Sequence, residues 1–516
     1  MWRGLALAAL LTSSAQAEAP QSAIDWLSES LLHPPVFVIT PPARTGPSLN
    51  TTSISVIPLE MISRDSAGLL PPEVTGFPRA IWGNTPSFEA EQQLRAVKKS
   101  DVPEVMSLFK QVLLAQSDPP VDSGPQGALL LARIDLLFAI GALDEAETLA
   151  LLAGISEPEI FRRWFEISLI GQRTNAPCAA LQQHPSLSDD IATRVICLAR
   201  SGDWNAAAIT VSLAESLGQI AVEDADLLVR FLDPEMFADL PDAGNPDPLD
   251  PITFTLRESL ALPRPVTPLP LPYLNADLFL RTPARQRIAA AERLVRASAI
   301  PSGLLFAAYR GARAASSGGV WGRAEHVQEL DTALVSEDGG RLAEAISTAM
   351  VAFADSGLLY AFAFEYADTL AHFPPDEETG QIAPRIRRLL LIADRPMAQW
   401  ATLGRADPPM VQFATRLASR TPVQGLSPYS ASLPEAIHLA FANLTPTQQE
   451  IPALLQRIDS GNFAEVLLRA LALLADGRDA DPQALHEGLF LLRKLGLEDA
   501  ARRVAIQLLL IEPEPA

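Results

Sequence analysis

From about residue 93 onward, apolar residues recur every three or four positions, which predicts a succession of amphipathic helices. One apolar face covers residues 129–140 and another covers residues 161–169. Glycine ends several of these runs, as at Gly141, Gly171 and Gly202. Because glycine readily adopts the left-handed conformation that closes many helices, these positions predict turns between consecutive helices. The pattern therefore predicts an all-α fold.

Several predicted turns share one spacing, in which glycine is followed by an apolar residue two positions on and by alanine five positions on. Four sets match it: Gly141/Leu143/Ala146, Gly202/Trp204/Ala207, Gly319/Trp321/Ala324 and Gly340/Leu342/Ala345. Gly461 and Gly496 match it in part. The spacing resembles the tetratricopeptide repeat family, in which glycine closes the first helix and alanine lets the second pack closely. The resemblance implies an irregular α-solenoid of helical hairpins. A plain α-helical bundle is the structural alternative.

Proline divides the chain into segments, because it cannot continue a helix interior. Residues 18–92 form a Pro-rich N-terminal segment of low regular structure, in which 36–39 and 54–57 look extended. Residues 233–282 form a Pro-rich connector with a short helix near 254–260. We expect a first helical-hairpin block at 93–232 and a second at 283–516. In the first block, the helix after Gly202 carries Ala206, Ile209, Leu213 and Leu217 as its apolar positions.

Residues 1–17 have the three parts of a secretory signal peptide. Arg3 supplies the positive start, residues 5–11 the apolar stretch, and Ala15-Gln16-Ala17 the small-residue cleavage site. We therefore expect cleavage after about Ala17 and a periplasmic location. A cytoplasmic protein with an apolar first helix is the alternative. No later apolar run is long enough to span a bilayer, so no transmembrane segment is expected after the signal.

The net charge of −21 at pH 7 disfavours nucleic acid and anionic lipid surfaces as partners. Cys178 and Cys197 are the only cysteines. Because two thiols close in sequence pair readily in an oxidising compartment, they predict a disulfide between two helices of a hairpin. Two buried free cysteines are the alternative.

No motif for a metal or a cofactor is found, so none is expected. Three Asp-Ser-Gly triplets begin at Asp122, Asp355 and Asp459, and helix ends explain the last two better than aspartic protease chemistry. Glu258-Ser259 resembles the catalytic Glu-Ser pair of soluble lytic transglycosylases, which implies a general acid at Glu258. The Gly-Leu-Met-Gln stretch of those enzymes is missing.

Two local clusters are candidate partner contacts. Tyr360 and Tyr366 belong to an aromatic patch with Phe362 and Phe364, for which core packing is the alternative. Arg385, Arg387 and Arg388 form a basic cluster in an acidic chain, for which a solvated helix face is the alternative.

We therefore expect an exported, non-enzymatic scaffold or adaptor that binds a protein partner in the cell envelope. One alternative is a peptidoglycan-acting enzyme or its regulator. Another is a periplasmic component of a motility or secretion machine.

Overall fold

The computed structural model describes residues 63–236, 248–264, 267–313, 318–336, 338–401, 407–421 and 432–511, apart from 443, 447 and 449. All of them lie in one unit, Ile57–Ala516. The expected signal peptide, the extended stretches at 36–39 and 54–57, and parts of the Pro-rich connector lie outside the described residues. The described residues form helices and turns without a β-strand, and Leu70 and Ala115 make a single isolated bridge. The predicted all-α class is therefore confirmed.

The first helices, up to the connector, run as follows: α1 Pro72–Thr75, α2 Ser87–Ala96, α3 Pro103–Leu114, α4 Ala128–Ala139, α5 Leu143–Ala153, α6 Pro158–Ile170, α7 Asn175–Gln183, α8 Ile191–Arg200, α9 Trp204–Ser216 and α10 Val222–Leu232. The connector contains α11 Pro251–Ser259 and α12 Leu271–Leu274. The remaining helices are α13 Ala284–Arg296, α14 Ser302–Arg310, α15 Gly319–Ser336, α16 Gly339–Asp355, α17 Leu359–His372, α18 Glu377–Gln381, α19 Ala383–Ile392, α20 Pro409–Ala418, α21 Ser432–Phe441, α22 Ile451–Asp459, α23 Phe463–Leu474, α24 Pro482–Lys494 and α25 Glu498–Leu510.

Most of the predicted turn glycines do separate helices. Gly141, Gly202, Gly461 and Gly496 all have φ between 82° and 87°, where a side chain would be strained. Gly340 is an exception, because it lies in the first turn of α16 rather than after a helix. The Asp338 side chain accepts a hydrogen bond from Arg341 N–H and so begins that helix instead.

Alanine at the fifth position of the spacing is buried, as close helix packing requires. Ala146, Ala207 and Ala324 have no exposed surface. Each belongs to a helix that packs on the helix next to it in sequence: α5 on α4, α9 on α8, and α15 on α14. Short connections favour antiparallel packing of consecutive helices.

Helices near the beginning and the end of the described chain, α2 and α3 with α23 and α25, also pack against each other. Glu104 of α3 donates its backbone N–H to Gln507 Oε1 at 2.8 Å and accepts a bond from Arg503 Nη2 at 2.8 Å. Beside this contact, the N–H of Ala464 donates to the carbonyl of Ile81 at 2.7 Å. Repeats of an open solenoid contact only their sequence neighbours. This packing is therefore an additional, long-range constraint on the fold.

The two predicted helical blocks are likewise in contact. Lys110 Nζ of α3 donates to Glu145 Oε1 at 2.6 Å and to the carbonyl of Ser298 at 3.3 Å. Asn275 Nδ2, in the connector, donates to the carbonyl of Gly141 at 3.1 Å. Polar groups on both sides of the connector are thus satisfied by contacts between the blocks.

The disulfide between Cys178 and Cys197 joins α7 to α8. Both cysteines are buried among the apolar residues of the core. The bond therefore links two consecutive helices, as the sequence predicts, next to the hairpin that α8 and α9 form.

We expect that replacing both Cys178 and Cys197 with alanine lowers the free energy of unfolding by about 3 kcal/mol, because the unfolded chain loses a closed loop. Urea unfolding of the wild type and the double variant measures the difference. Reduced wild-type protein serves as the control and is expected to unfold with the variant. Equal stability of the oxidised wild type and the variant would contradict the disulfide.

We expect Gly83→Ala to destabilise the fold more than Gly76→Ala. Both glycines have positive φ, so both substitutions introduce backbone strain of about 1–2 kcal/mol. A Cβ at Gly83 would also lie 2.7 Å from the carbonyl oxygen of Gly461, whereas a Cβ at Gly76 meets nothing within 4 Å.

The steric clash between the new Cβ at position 83 and Gly461 is expected to lower the free energy of unfolding by a further 1–3 kcal/mol or so, as overpacking does. Thermal or urea unfolding of the two variants measures this difference. Equal losses would show that the contact between the two chain ends adds nothing to stability.

Candidate functional site

The three arginines of the predicted basic cluster point to different parts of the fold. Arg387 is only 3 % exposed; its Nη1 donates to the carbonyl of Trp400 and its guanidinium pairs with Asp407. Arg388 Nε donates to the carbonyl of Leu510 at 2.9 Å. Arg385 alone is exposed, and its Nη1 donates to Ser347 Oγ at 3.1 Å. Arg387 therefore stabilises the interior, and no continuous basic surface forms.

The two candidate tyrosines are also separated. Tyr366 is 3 % exposed and donates its hydroxyl proton to Asp331 Oδ1 at 2.9 Å; burial first, and then Asp331, raise its pKa. Tyr360 is partly exposed and stacks on Phe364 with 6.1 Å between ring centres. Arg395 lies over the Phe364 ring at 5.5 Å. Tyr366 thus belongs to the core, and only Tyr360 remains near a surface.

Glu258 and Ser259 line a cleft of about 780 Å³ with Arg264, Asp277 and Gln286. Arg264 donates two bonds to the Glu258 carboxylate, at 2.8 and 2.9 Å, and two to Asp277, at 2.7 and 2.8 Å. The hydrogen bonds that Arg264 donates to Asp277 first, and then to Glu258, raise its pKa. Ser259 Oγ donates to the carbonyl of Leu256 at 2.7 Å.

The chemistry of this cleft differs from that of a general acid. Such a residue must hold a proton and offer it to the substrate. The Glu258 carboxylate instead accepts two hydrogen bonds from the Arg264 guanidinium. The Glu258 pair therefore acts as a structural ion pair in this geometry. Among the described residues, no group of three His, Cys, Asp or Glu side chains is placed to hold a metal ion.

Helix α9 carries an exposed surface that no sequence motif marked. Its buried stripe consists of Ala207, Val211 and Ala214 only. On another side Ile209, Leu213 and Leu217 are 66 %, 57 % and 61 % exposed. These three positions are separated by one helical turn each, so they form a single ridge. We call this ridge, with the adjacent row of side chains that begins at the half-exposed Trp204 and continues through Ala208 and Ser212, the α9 outer face.

The α9 outer face lacks charge along most of its length. No charged residue occurs between Trp204 and Ala214. A helix that is apolar on more than one side is ordinarily covered on more than one side. The composition of α9 therefore indicates a second contact surface.

Carboxylates surround this face. Asp203 and Glu215 flank it at the two ends of α9, and on the neighbouring α10 Glu223 and Asp224 are exposed and Asp226 is partly exposed. Burial first, and then the charges of Asp250, Glu223 and Asp190, raise the pKa of Asp224. The electrostatic potential beside the α9 outer face is therefore negative.

The sequence identifies the apolar positions of α9 but does not distinguish its buried side from its exposed side. The signal in the sequence is the lack of charged residues from Trp204 to Ala214, which covers about three turns of the helix on every side. An amphipathic helix with one buried side would carry charged residues opposite its apolar stripe. No helix in the described parts of the chain is both long and apolar enough to cross a membrane.

The raised pKa of Asp224 predicts a pH dependence of stability. The folded protein holds this proton more tightly than the unfolded chain does. As the pH rises above about 3.8, the ordinary pKa of Asp, ionisation of Asp224 therefore destabilises the fold. Asp224→Asn removes this effect. We expect the stability of the variant relative to wild type to rise by a few tenths of a kcal/mol from pH 3.5 to about pH 7.

Chemical unfolding at the two pH values measures this change. Asp226→Asn is the matched control, because Asp226 pairs with Arg230 at 2.9 Å and its replacement is expected to destabilise the protein at neutral pH. The same sign for both variants at neutral pH would contradict repulsion at Asp224.

Comparisons with known proteins give no relative: no protein-family model, curated sequence or solved structure matches this chain.

Proposed function

We propose that this protein is an exported, non-enzymatic scaffold or adaptor, and that a protein partner in the cell envelope docks on the α9 outer face. The proposal includes an irregular, tetratricopeptide-like stack of helical hairpins as the framework. One observation carries it: an uncharged ridge of large apolar side chains stays exposed on a helix that already buries another stripe.

The energy available from this ridge is sufficient for recognition. Covering a Leu or Ile side chain completely contributes about 1.5–3 kcal/mol. Since Ile209, Leu213 and Leu217 are each about three-fifths exposed, covering them would contribute on the order of 3–5 kcal/mol. A partner that covered the ridge would therefore gain a factor of about one hundred to a few thousand in affinity.

The two alternative functions would use different parts of the structure. A peptidoglycan-acting enzyme would need Glu258 free to act as an acid, and Arg264 occupies that carboxylate. A periplasmic component of a motility or secretion machine would use the same docking surface. Identification of the partner separates that alternative from a general adaptor.

Photo-crosslinking in cells tests the proposal. A photoreactive residue at Leu213 is expected to give a discrete adduct with one partner protein. The same residue at Val335, which is 86 % exposed on α15, is the matched control and is expected to give none. Ile209→Gln, adjacent to the probe position, is expected to reduce the Leu213 adduct. No adduct at Leu213 above the Val335 background would contradict the proposal.

A further inference from the structure

We infer that the partner presents to the α9 outer face an amphipathic helix whose apolar stripe is bordered by lysine or arginine. This inference rests on the proposed function and specifies the chemistry of its partner. Shape and charge support it independently.

The shape of the face suits a helix. Ile209, Leu213 and Leu217 form a ridge of large side chains that extends about 12 Å along the helix axis. Beside this ridge runs a parallel row of small exposed side chains, Ala208, Ser212 and Ser216. A ridge and a groove with the same four-residue spacing are what a second helix needs for ridges-into-grooves packing.

The open end of the face adds an aromatic contact. Trp204 is half-exposed and lies 6.3 Å from the Phe231 ring of α10, so one side of its indole is already held. Aromatic side chains fixed in this way often contribute most to helix recognition. Trp204 begins the row of Ala208, Ser212 and Ser216, so a partner helix that packs along this row would reach the exposed side of the ring.

The charge of the region selects the partner. Between Ser201 and Glu235 the chain has seven carboxylates and only one basic residue, Arg230, which pairs with Asp226. A helix bordered by Lys or Arg would be attracted, and its charges would set the orientation and speed of docking. A second copy of this chain would bring two acidic borders together, and an anionic membrane would be repelled. Both are therefore less favourable occupants of the face.

Two synthetic helical peptides of about 18 residues, or five turns, test the inference. They share one leucine stripe and differ only in their borders, which are lysine in one and glutamate in the other. Fluorescence anisotropy measures their binding to the purified full chain. We expect the lysine-bordered peptide to bind at least tenfold more tightly, and raising the ionic strength from about 0.05 M to 0.5 M to reduce that preference.

Variants locate the binding. Ile209→Gln combined with Leu213→Gln is expected to weaken binding of the lysine-bordered peptide at least tenfold. Val335→Gln combined with Val351→Gln, at exposed apolar positions of α15 and α16, is the matched control and is expected to leave it unchanged. Thermal unfolding of both double variants verifies that they are folded.

Four results would overturn the inference. Equal binding of the two peptides would remove the role of charge, and unchanged binding by the Ile209/Leu213 variant would place the site elsewhere. A dimer that this double variant dissociates in sedimentation would identify a second copy as the occupant. If neither peptide binds while Leu213 still crosslinks to a partner in cells, the basic helix is wrong and the adaptor function stands. If no peptide binds and Leu213 gives no crosslink in cells, the adaptor function itself is contradicted.

Discussion

Glu104 joins the two ends of the described chain, and much of the fold depends on that junction. Burial of its carboxylate raises the pKa of Glu104. The carboxylate accepts a hydrogen bond from Arg503, and the backbone N–H of Glu104 donates to Gln507. Loss of one partner of such a buried pair leaves the other charge uncompensated, which costs more than the pair itself contributes. Around it, α2 and α3 pack on α23 and α25, so the first and last hairpins share one core.

This junction explains why exposed apolar residues can be tolerated elsewhere. A chain closed by long-range packing gains its stability from the core that the hairpins share, and α9 lies outside that junction and packs mainly on its neighbours α8 and α10. The short connections and the disulfide beside it fix the position of α9 without covering its outer side. The apolar ridge is thus held in a defined orientation, which lowers the entropic cost of binding a partner.

Two buried arginines stabilise the interior. Arg133 has almost no exposed surface and donates to the carbonyls of Leu113, Ala67 and Ala115. Arg387 satisfies Trp400 and Asp407 in the same manner. Connections between helices leave carbonyl oxygens without helical partners, and a guanidinium has enough donors to satisfy several of them at once. A basic cluster in a helical protein is therefore a weak indicator of a surface.

Sequence alone determined the helical class, the turns at Gly141, Gly202, Gly461 and Gly496, and the pairing of Cys178 with Cys197, because these depend on periodicity, backbone conformation and proximity along the chain. It also supplied the apolar positions of α9. Only the tertiary structure decided which of them are buried, since burial depends on which helices become neighbours. The same reason applies to Arg387, Tyr366 and Glu258: their partners Asp407, Asp331 and Arg264 are brought to them by packing, which no local pattern encodes.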